Sequence, residues 1–213
     1  MKTKITITLD QAKSWFRSGN EELRELALEA FGKEALAGSF RDITTFEKAC
    51  DELCYLRGAM VSDADFLYTV SAASAAMFKL NIIREALNFG KDLSLTKDPE
   101  RSHIYYPLNP LVTTTSTFYN DEISSGKVEI IGKIKSGEKE YNVLGGGVGF
   151  TGSAGLGSFT PDDGVCRANA SFGFLGCANA EIASHFGKYF GMLITEAKYG
   201  DIIEDFEIIE SKY

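Results

Sequence analysis

A block of glycines constrains this chain more than any other feature of its sequence. Ten glycines fall within the 32 residues from Gly145 to Gly176. Glycine brings little apolar area and loses much chain entropy on folding, so such a segment folds only on a scaffold. Two short β-like runs, 154–159 and 168–175, flank the turn signal of residues 161–164. We therefore expect a glycine-rich sheet that depends on more apolar elements for support.

The residues before the glycine block show helical patterns. Thr8 begins a capping-box pattern, and Asn20 can cap a second helix whose first turn is acidic. Residues 58–65 read as a linker, and Asn88 and Gly90 supply a stop signal for a longer helix. The predicted helices cover residues 8–17, 21–31, 45–56 and 71–89. We therefore predict a small helical N-terminal unit over residues 1–57, with Trp15 and Phe16 in its core.

The second part of the chain mixes strand and helix patterns. Residues 105–107 read as extended, residues 113–119 have strand propensity, and residues 127–134 and 141–144 form a plausible hairpin. An amphipathic helix is predicted over residues 180–197, and residues 202–209 read partly as a strand. These patterns predict an α+β domain over residues 64–213, with a glycine-rich β segment (145–176) and a C-terminal helix.

Composition narrows the classes of protein that fit. The chain has 213 residues, is 44% apolar and carries a net charge of −8. This is a foldable globular composition, and an acidic surface argues against broad nucleic-acid binding. The start lacks a signal-peptide core, and no apolar stretch approaches a membrane span. We expect a soluble protein without a signal peptide or a membrane partner, and reduced, mostly buried thiols at Cys50, Cys54, Cys166 and Cys177.

Three motifs could in principle support catalysis or cofactor binding, but a purely structural role explains each of them better. Residues 147–152 match GxGxxG, but the residues that follow do not read as the helix that a dinucleotide site needs. Cys50 and Cys54 are spaced for one helix face, yet no paired second set of metal ligands exists. Cys177 and His185 lack the spacing that would impose a nucleophile–base geometry. We therefore predict no catalytic residues, no metal site and no cofactor.

The remaining candidates are for binding. Asp162 and Asp163 could ligate calcium through carboxylate oxygens, although a plain turn explains them equally simply. Aromatic side chains in the second part of the chain could line a binding face, or belong to the core. The candidate ligand-binding residues are Tyr105, Tyr106, Tyr119, Phe150, Ser153, Phe159, Asp162, Asp163 and Asn169.

Four segments together resemble an uncharacterised family of gut Bacteroides proteins associated with phages and integrated elements. These segments are 5–12, 82–88 followed by 105–107, 172–177, and 181–190. The resemblance covers nearly the whole chain, and its motifs belong to the fold rather than to a reaction. It implies a cytoplasmic or virion-associated protein.

The glycine block also resembles the terminal sheet of C-type-lectin-like modules of the formylglycine-generating type. The resemblance rests on Gly145-Gly146, residues 154–156 and residues 168–174. This chain differs from those modules in two ways. More than thirty residues follow the Gly-Phe segment, and the block lacks the usual tryptophans, since the only tryptophan of the chain is Trp15. The resemblance implies a glycine-rich sheet that displays variable ligand-binding residues.

These observations predict a non-enzymatic recognition or interaction module of a phage or mobile element. Its contact surface would be the glycine-rich loops of residues 145–171, and its ligand a protein or a carbohydrate. One alternative is a structural or assembly protein of a phage particle, which would form an oligomer and dock through the stripe Leu23, Leu26 and Phe31 of its N-terminal helices. The other alternative is an enzyme with an unrecognised pocket.

Overall fold

The computed structural model describes residues 6–18, 20–55, 57–91, 104–107, 109, 111–117, 120–126, 128–145, 157–159, 175–203 and 205–213. Within these ranges the fold is α+β, as predicted. The helices are α1 (Leu9–Phe16), α2 (Glu21–Leu36), α3 (Phe46–Glu52), α4 (Arg57–Tyr68), α5 (Ala72–Leu87), α6 (Asn120–Ser124) and α7 (Ala180–Tyr199). The strands are β1 (Ile104–Tyr106), β2 (Leu111–Thr113), β3 (Glu129–Ser136), β4 (Lys139–Gly145), β5 (Gly157–Phe159) and β6 (Glu207–Ser211), and a 3-10 turn covers Phe40–Asp42.

The helix starts follow the capping residues that the sequence marks. The Thr8 hydroxyl accepts the Gln11 amide, and the Gln11 side chain accepts the Thr8 amide at 3.0 Å, so the capping box is confirmed. Asn20 caps α2 in the same manner by accepting the Leu23 amide at 3.0 Å. Asn179 accepts the Ile182 amide at 2.9 Å and fixes the start of α7. Local hydrogen bonding therefore sets these boundaries.

One prediction about the helical region is wrong. Residues 58–65 do not form a linker, because they lie inside α4. Met60 and Val61 pack against the main core and Ala64 is buried, so apolar burial stabilises a helix there. The predicted end of the second helix at Phe31 coincides with a break at Gly32, whose φ of 75° suits glycine, and the chain becomes helical again from there to Leu36.

The strand predicted over residues 113–119 is also wrong in extent. β2 covers only Leu111–Thr113, and a turn follows at residues 114–115 before α6 begins at Asn120. The threonine run has strand propensity, but only its first residue, Thr113, lies in β2, opposite Tyr141 of β4. The next residue, Thr114, still donates its amide to the Glu140 carbonyl at 3.2 Å.

The predicted hairpin is confirmed as the centre of a four-stranded antiparallel sheet. β3 and β4 pair from Ser136 opposite Lys139 to Glu129 opposite Gly145, and the strand order is β2-β4-β3-β6. β6 pairs with the other side of β3. A separate two-stranded ladder joins β1 to β5, with Tyr106 opposite Gly157.

The main core is formed by α5 and α7, with α3 packed against them. Leu80 of α5, Phe186 of α7 and Leu53 at the end of α3 are each at most 2% exposed within one hydrophobic cluster. This cluster joins residues from both predicted units. A smaller cluster holds α1 and α2, where Phe16 is fully buried and Trp15 packs at its margin.

The contact between α7 and the sheet depends on small residues and one buried amide. The Asn109 amide nitrogen donates to the Leu144 carbonyl at 3.0 Å and to the Gly187 carbonyl at 2.9 Å. An added Cβ at Gly191 would lie 2.3 Å from Asn109 and 2.3 Å from Ile131. Glycines on one side of α7 therefore let the sheet approach closely and fix which face of α7 points away from it.

Candidate functional site

A groove of about 400 Å³ lies along the N-terminal half of α7, where the 3-10 turn approaches the helix. This volume lies within the range of small-ligand sites in proteins. The groove is lined by Phe40, Arg41, Ala180, Glu181, Ser184, His185, Lys188 and Tyr189. We call this cavity the α7 groove.

Helical spacing explains why the α7 residues line a single surface. Positions three and four apart share a face, so 181, 184, 185, 188 and 189 form one stripe. The alternate stripe, with Ile182, Phe186 and Phe190, is buried in the main core. Ser39 caps the 3-10 turn through the Arg41 amide at 3.3 Å, which sets Phe40 and Arg41 against α7.

Four rings form a continuous row along this surface. The His185 ring lies 5.5 Å from Phe40 and 4.6 Å from Tyr189, measured between centroids. The Tyr189 ring in turn lies 4.9 Å from Tyr213. Edge-to-face and tilted contacts at such distances are favourable, so the row is held together by its own packing.

Cations and carboxylates flank the row at both ends. The Arg41 guanidinium lies 4.7 Å from the Phe40 ring centroid and pairs with Glu181 at 2.6 Å. At the other end, the Lys188 ammonium lies 5.4 Å from the Tyr213 ring and 3.5 Å from a Glu129 carboxylate oxygen. The Tyr213 hydroxyl donates to Glu129 at 3.0 Å. The groove therefore offers both signs of charge beside apolar ring faces.

His185 is the half-buried centre of the row. Its Nε2 lies 2.7 Å from the Ile43 carbonyl oxygen, which can only accept, so Nε2 carries the proton. Burial lowers the pKa of His185 below its ordinary value of 6.5, and the charges of Arg41 and Lys188 lower it further. The hydrogen bond to Ile43 acts in the opposite direction. The neutral ring therefore has Nδ1 as a hydrogen-bond acceptor.

Cys177 is in surroundings that oppose thiol chemistry. Cys177 is 1% exposed and burial raises its pKa to about 12, so it holds its proton near neutral pH. Its sulfur contacts the Leu175 carbonyl at 3.5 Å, while His185 is bonded to Ile43. This arrangement does not pair Cys177 with His185 as a nucleophile and base.

Cys50 and Cys54 do not share a helix face. α3 ends at Glu52, and Cys54 has a left-handed φ of 58° beyond the helix end. The Cys54 thiol donates to the Phe16 carbonyl at 2.9 Å, whereas Cys50 is buried in the main core. Among the described residues, no group of three or more His, Cys, Asp and Glu side chains could hold a metal ion.

The predicted ligand-binding residues fall mostly outside the described part of the chain. Tyr105 and Tyr106 are in β1 and Phe159 is in β5, so the pairing of these strands brings the three backbones together. The other candidates, which lie outside the described residues, are Tyr119, Phe150, Ser153, Asp162, Asp163 and Asn169. Residues 147–152, which carry the GxGxxG pattern, also lie outside them.

Sequence reasoning missed the α7 groove. The sequence patterns point to His185 only as a base beside Cys177, a role that its spacing does not support, and they do not mark Phe40, Arg41, Lys188 or Tyr189 as candidates. One signal was available, because the polar and aromatic positions of α7 repeat at helical spacing opposite its apolar stripe. The sequence carries no such signal for the contacts of Phe40 and Tyr213 with this face of α7. Phe40 lies 145 residues before His185, and Tyr213 lies 28 residues after it.

Comparisons with protein-family models, with curated proteins and with solved structures find no match to this chain. The resemblances to Bacteroides and phage-associated proteins and to C-type-lectin-like modules stay predictions. None of the helices in the described ranges has both the length and the apolar character needed to cross a membrane.

Proposed function

We propose that this protein is a non-enzymatic recognition module that binds a carbohydrate in the α7 groove. The predicted contact surface of residues 145–171 lies outside the described residues, apart from Gly145 and Gly157–Phe159. The observation that carries the proposal is the row of four rings, Phe40, His185, Tyr189 and Tyr213, flanked by paired charges.

The chemistry of the groove fits a ligand with hydroxyl groups and an apolar face. The rings supply apolar surface, and aromatic side chains with a polar edge are common anchors of such contacts. Glu181 accepts hydrogen bonds, Arg41 donates them, and Nδ1 of the neutral His185 accepts. Arg41 and Glu181 are 65% and 70% exposed, so a ligand can reach both partners. A sugar presents donors and acceptors together, which matches this mixture.

The groups around the groove argue for binding rather than catalysis. A nucleophile needs a base within hydrogen-bond reach, yet among the described residues no hydroxyl or thiol donates a hydrogen bond to Nδ1, the unprotonated nitrogen of His185. Arg41 is paired with Glu181, and Lys188 is near Glu129, so these charges are balanced in the groove. Such balance suits recognition of a neutral ligand.

A thermal-shift screen of the full chain against a panel of mono- and disaccharides tests the proposal. A ligand at 100 times its Kd stabilises the folded state by about 2.7 kcal/mol, which raises Tm by about 5 to 11 °C in a chain of this size. Calcium, zinc, EDTA and nucleotides complete the panel, since a shift with a nucleotide would contradict the proposal.

Two matched variants then locate the ligand. Ala180→Trp adds a ring at the edge of the groove, whereas Ala30→Trp makes the same change at an exposed position of α2. We expect Ala180→Trp to weaken sugar binding by about tenfold or more in calorimetry, and Ala30→Trp to leave it unchanged. Equal sugar affinity in both variants, or no sugar that shifts Tm, would refute the groove as a sugar site.

A further inference from the structure

The most exposed apolar side chains of the described residues lie in two segments, the end of α4 with the turn after it and the loop after α7. Ile202 is 80% exposed, Val70 74%, Phe66 69% and Tyr68 59%. Every other exposed large apolar side chain in the described ranges is at most 43% exposed. Large exposed apolar groups that cluster, rather than scatter singly, mark interaction surfaces. We call Phe66, Val70 and Ile202 the α4–α5 patch. Tyr68 is left out, because it lies two positions from Phe66 and therefore faces another side of α4.

Hydrogen bonds join the two segments that carry the patch. The Phe66 carbonyl accepts the Thr69 amide at 3.1 Å and the Thr69 hydroxyl at 2.7 Å, which folds the end of α4 toward Val70. The next residue, Ser71, donates its hydroxyl to the carboxylate of Asp201. Ile202 follows Asp201 directly, so the loop after α7 lies beside the α4–α5 turn.

The charge around the patch has a single sign. Asp63, Asp65, Asp201 and Asp205 are exposed in the two segments. Residues 58–71 and 199–206 contain no lysine or arginine.

The flanking cations are already engaged. Arg57, just before the first segment, pairs with Asp51. Lys198, just before the second, lies 4.9 Å from the Tyr199 ring centroid. The patch is therefore an apolar centre with an acidic rim.

We propose that the α4–α5 patch docks a cationic apolar segment of a protein partner, in the manner of an amphipathic helix with lysine or arginine beside its apolar face. The apolar side chains would supply buried area, and the aspartates would select for positive charge. A second copy of this chain is a poor occupant, because a symmetric contact would bring two acidic rims together. The same rim repels anionic lipid surfaces.

This surface is distinct from the α7 groove. His185 and Tyr199 are separated by 14 residues of one helix, which is about 21 Å along its axis. A partner on the patch can therefore bind while the groove is free.

Fluorescence anisotropy with two labelled peptides tests the proposal on the full chain. One peptide is an amphipathic helix of about 18 residues made of leucine and lysine, and the other replaces each lysine with glutamate. We expect only the lysine peptide to bind, with an affinity that falls as salt rises from about 50 to about 300 mM. No binding of the lysine peptide, or equal binding of both, overturns the proposal.

Matched variants separate the patch from the general acidity of the protein. Phe66→Ser with Val70→Ser, and separately Asp63→Asn with Asp65→Asn, should each raise the Kd by about tenfold. The control, Glu25→Gln with Glu29→Gln, removes two exposed carboxylates from α2 and should change the Kd by less than about twofold.

Three results would overturn the assignment. In the first, the control pair weakens the peptide as much as the aspartate pair does. In the second, sedimentation shows a dimer of the chain that the Phe66→Ser, Val70→Ser variant abolishes. In the third, phosphatidylserine vesicles bind the chain and the same variant prevents it.

Discussion

Replacing Gly191 with alanine tests the packing that positions α7 on the sheet. The added Cβ would lie 2.3 Å from the Asn109 amide nitrogen and 2.3 Å from Ile131. Neither neighbour can move freely, because Ile131 is 1% exposed and Asn109 is 8% exposed. Asn109 is also held by its hydrogen bonds to the Leu144 and Gly187 carbonyls. The substitution therefore overpacks a closed contact.

The magnitude follows from three contributions. Overpacking a core costs about 1 to 3 kcal/mol, and displacing Asn109 forfeits two hydrogen bonds that contribute about 1 kcal/mol each. In the opposite direction, alanine stabilises a helix interior by about 1 kcal/mol relative to glycine. We expect Gly191→Ala to lower the free energy of unfolding by about 2 to 4 kcal/mol, which lowers Tm by several degrees.

Urea unfolding followed by circular dichroism measures this change, with Gly58→Ala as the matched control. Gly58 lies in α4, and a Cβ there meets nothing within 4 Å. The same substitution should therefore raise the free energy of unfolding by up to about 1 kcal/mol. The reasoning fails if Gly191→Ala is as stable as the unaltered chain, or if both variants shift the urea midpoint in the same direction.

Two further predictions concern buried polar groups. Asn88→Ala should lower the free energy of unfolding by about 2 to 4 kcal/mol in urea titrations. The reason is that Asn88 accepts the Ala178 amide at 2.8 Å and donates to the Gly176 carbonyl at 3.3 Å. The control, Asn81→Ala at an exposed position of α5, should change the free energy of unfolding by less than about 0.5 kcal/mol. The pKa of His185 is lower in the folded state than its value of 6.5 in the unfolded state. The contribution of neutral His185 to the free energy of unfolding is therefore complete above pH 6.5 and is lost as the pH falls toward the folded-state pKa. NMR titration of the His185 ring should give a midpoint below 6.5, and a midpoint at or above 6.5 would contradict the assignment.

The sequence by itself determined the local structure. Thr8, Asn20 and Asn179 sit where helices begin because a side-chain oxygen can satisfy an amide a few residues away, which needs no tertiary contact. The β3–β4 hairpin is equally local, since its strands alternate and are joined by a short turn around Gly137. The α+β class follows from these elements, and the structure has it.

Only the tertiary structure decided the features that depend on distant residues. Residues 58–65 look like a linker in sequence, yet they are helical because Met60 and Val61 pack against the main core. The α7 groove exists because Phe40 meets His185 across 145 residues of chain. The α4–α5 patch likewise needs Ile202 beside the turn that follows α4. Sequence periodicity records which face of an element is apolar, whereas the free energy of packing selects the partner of that face, and that selection is a property of the whole chain.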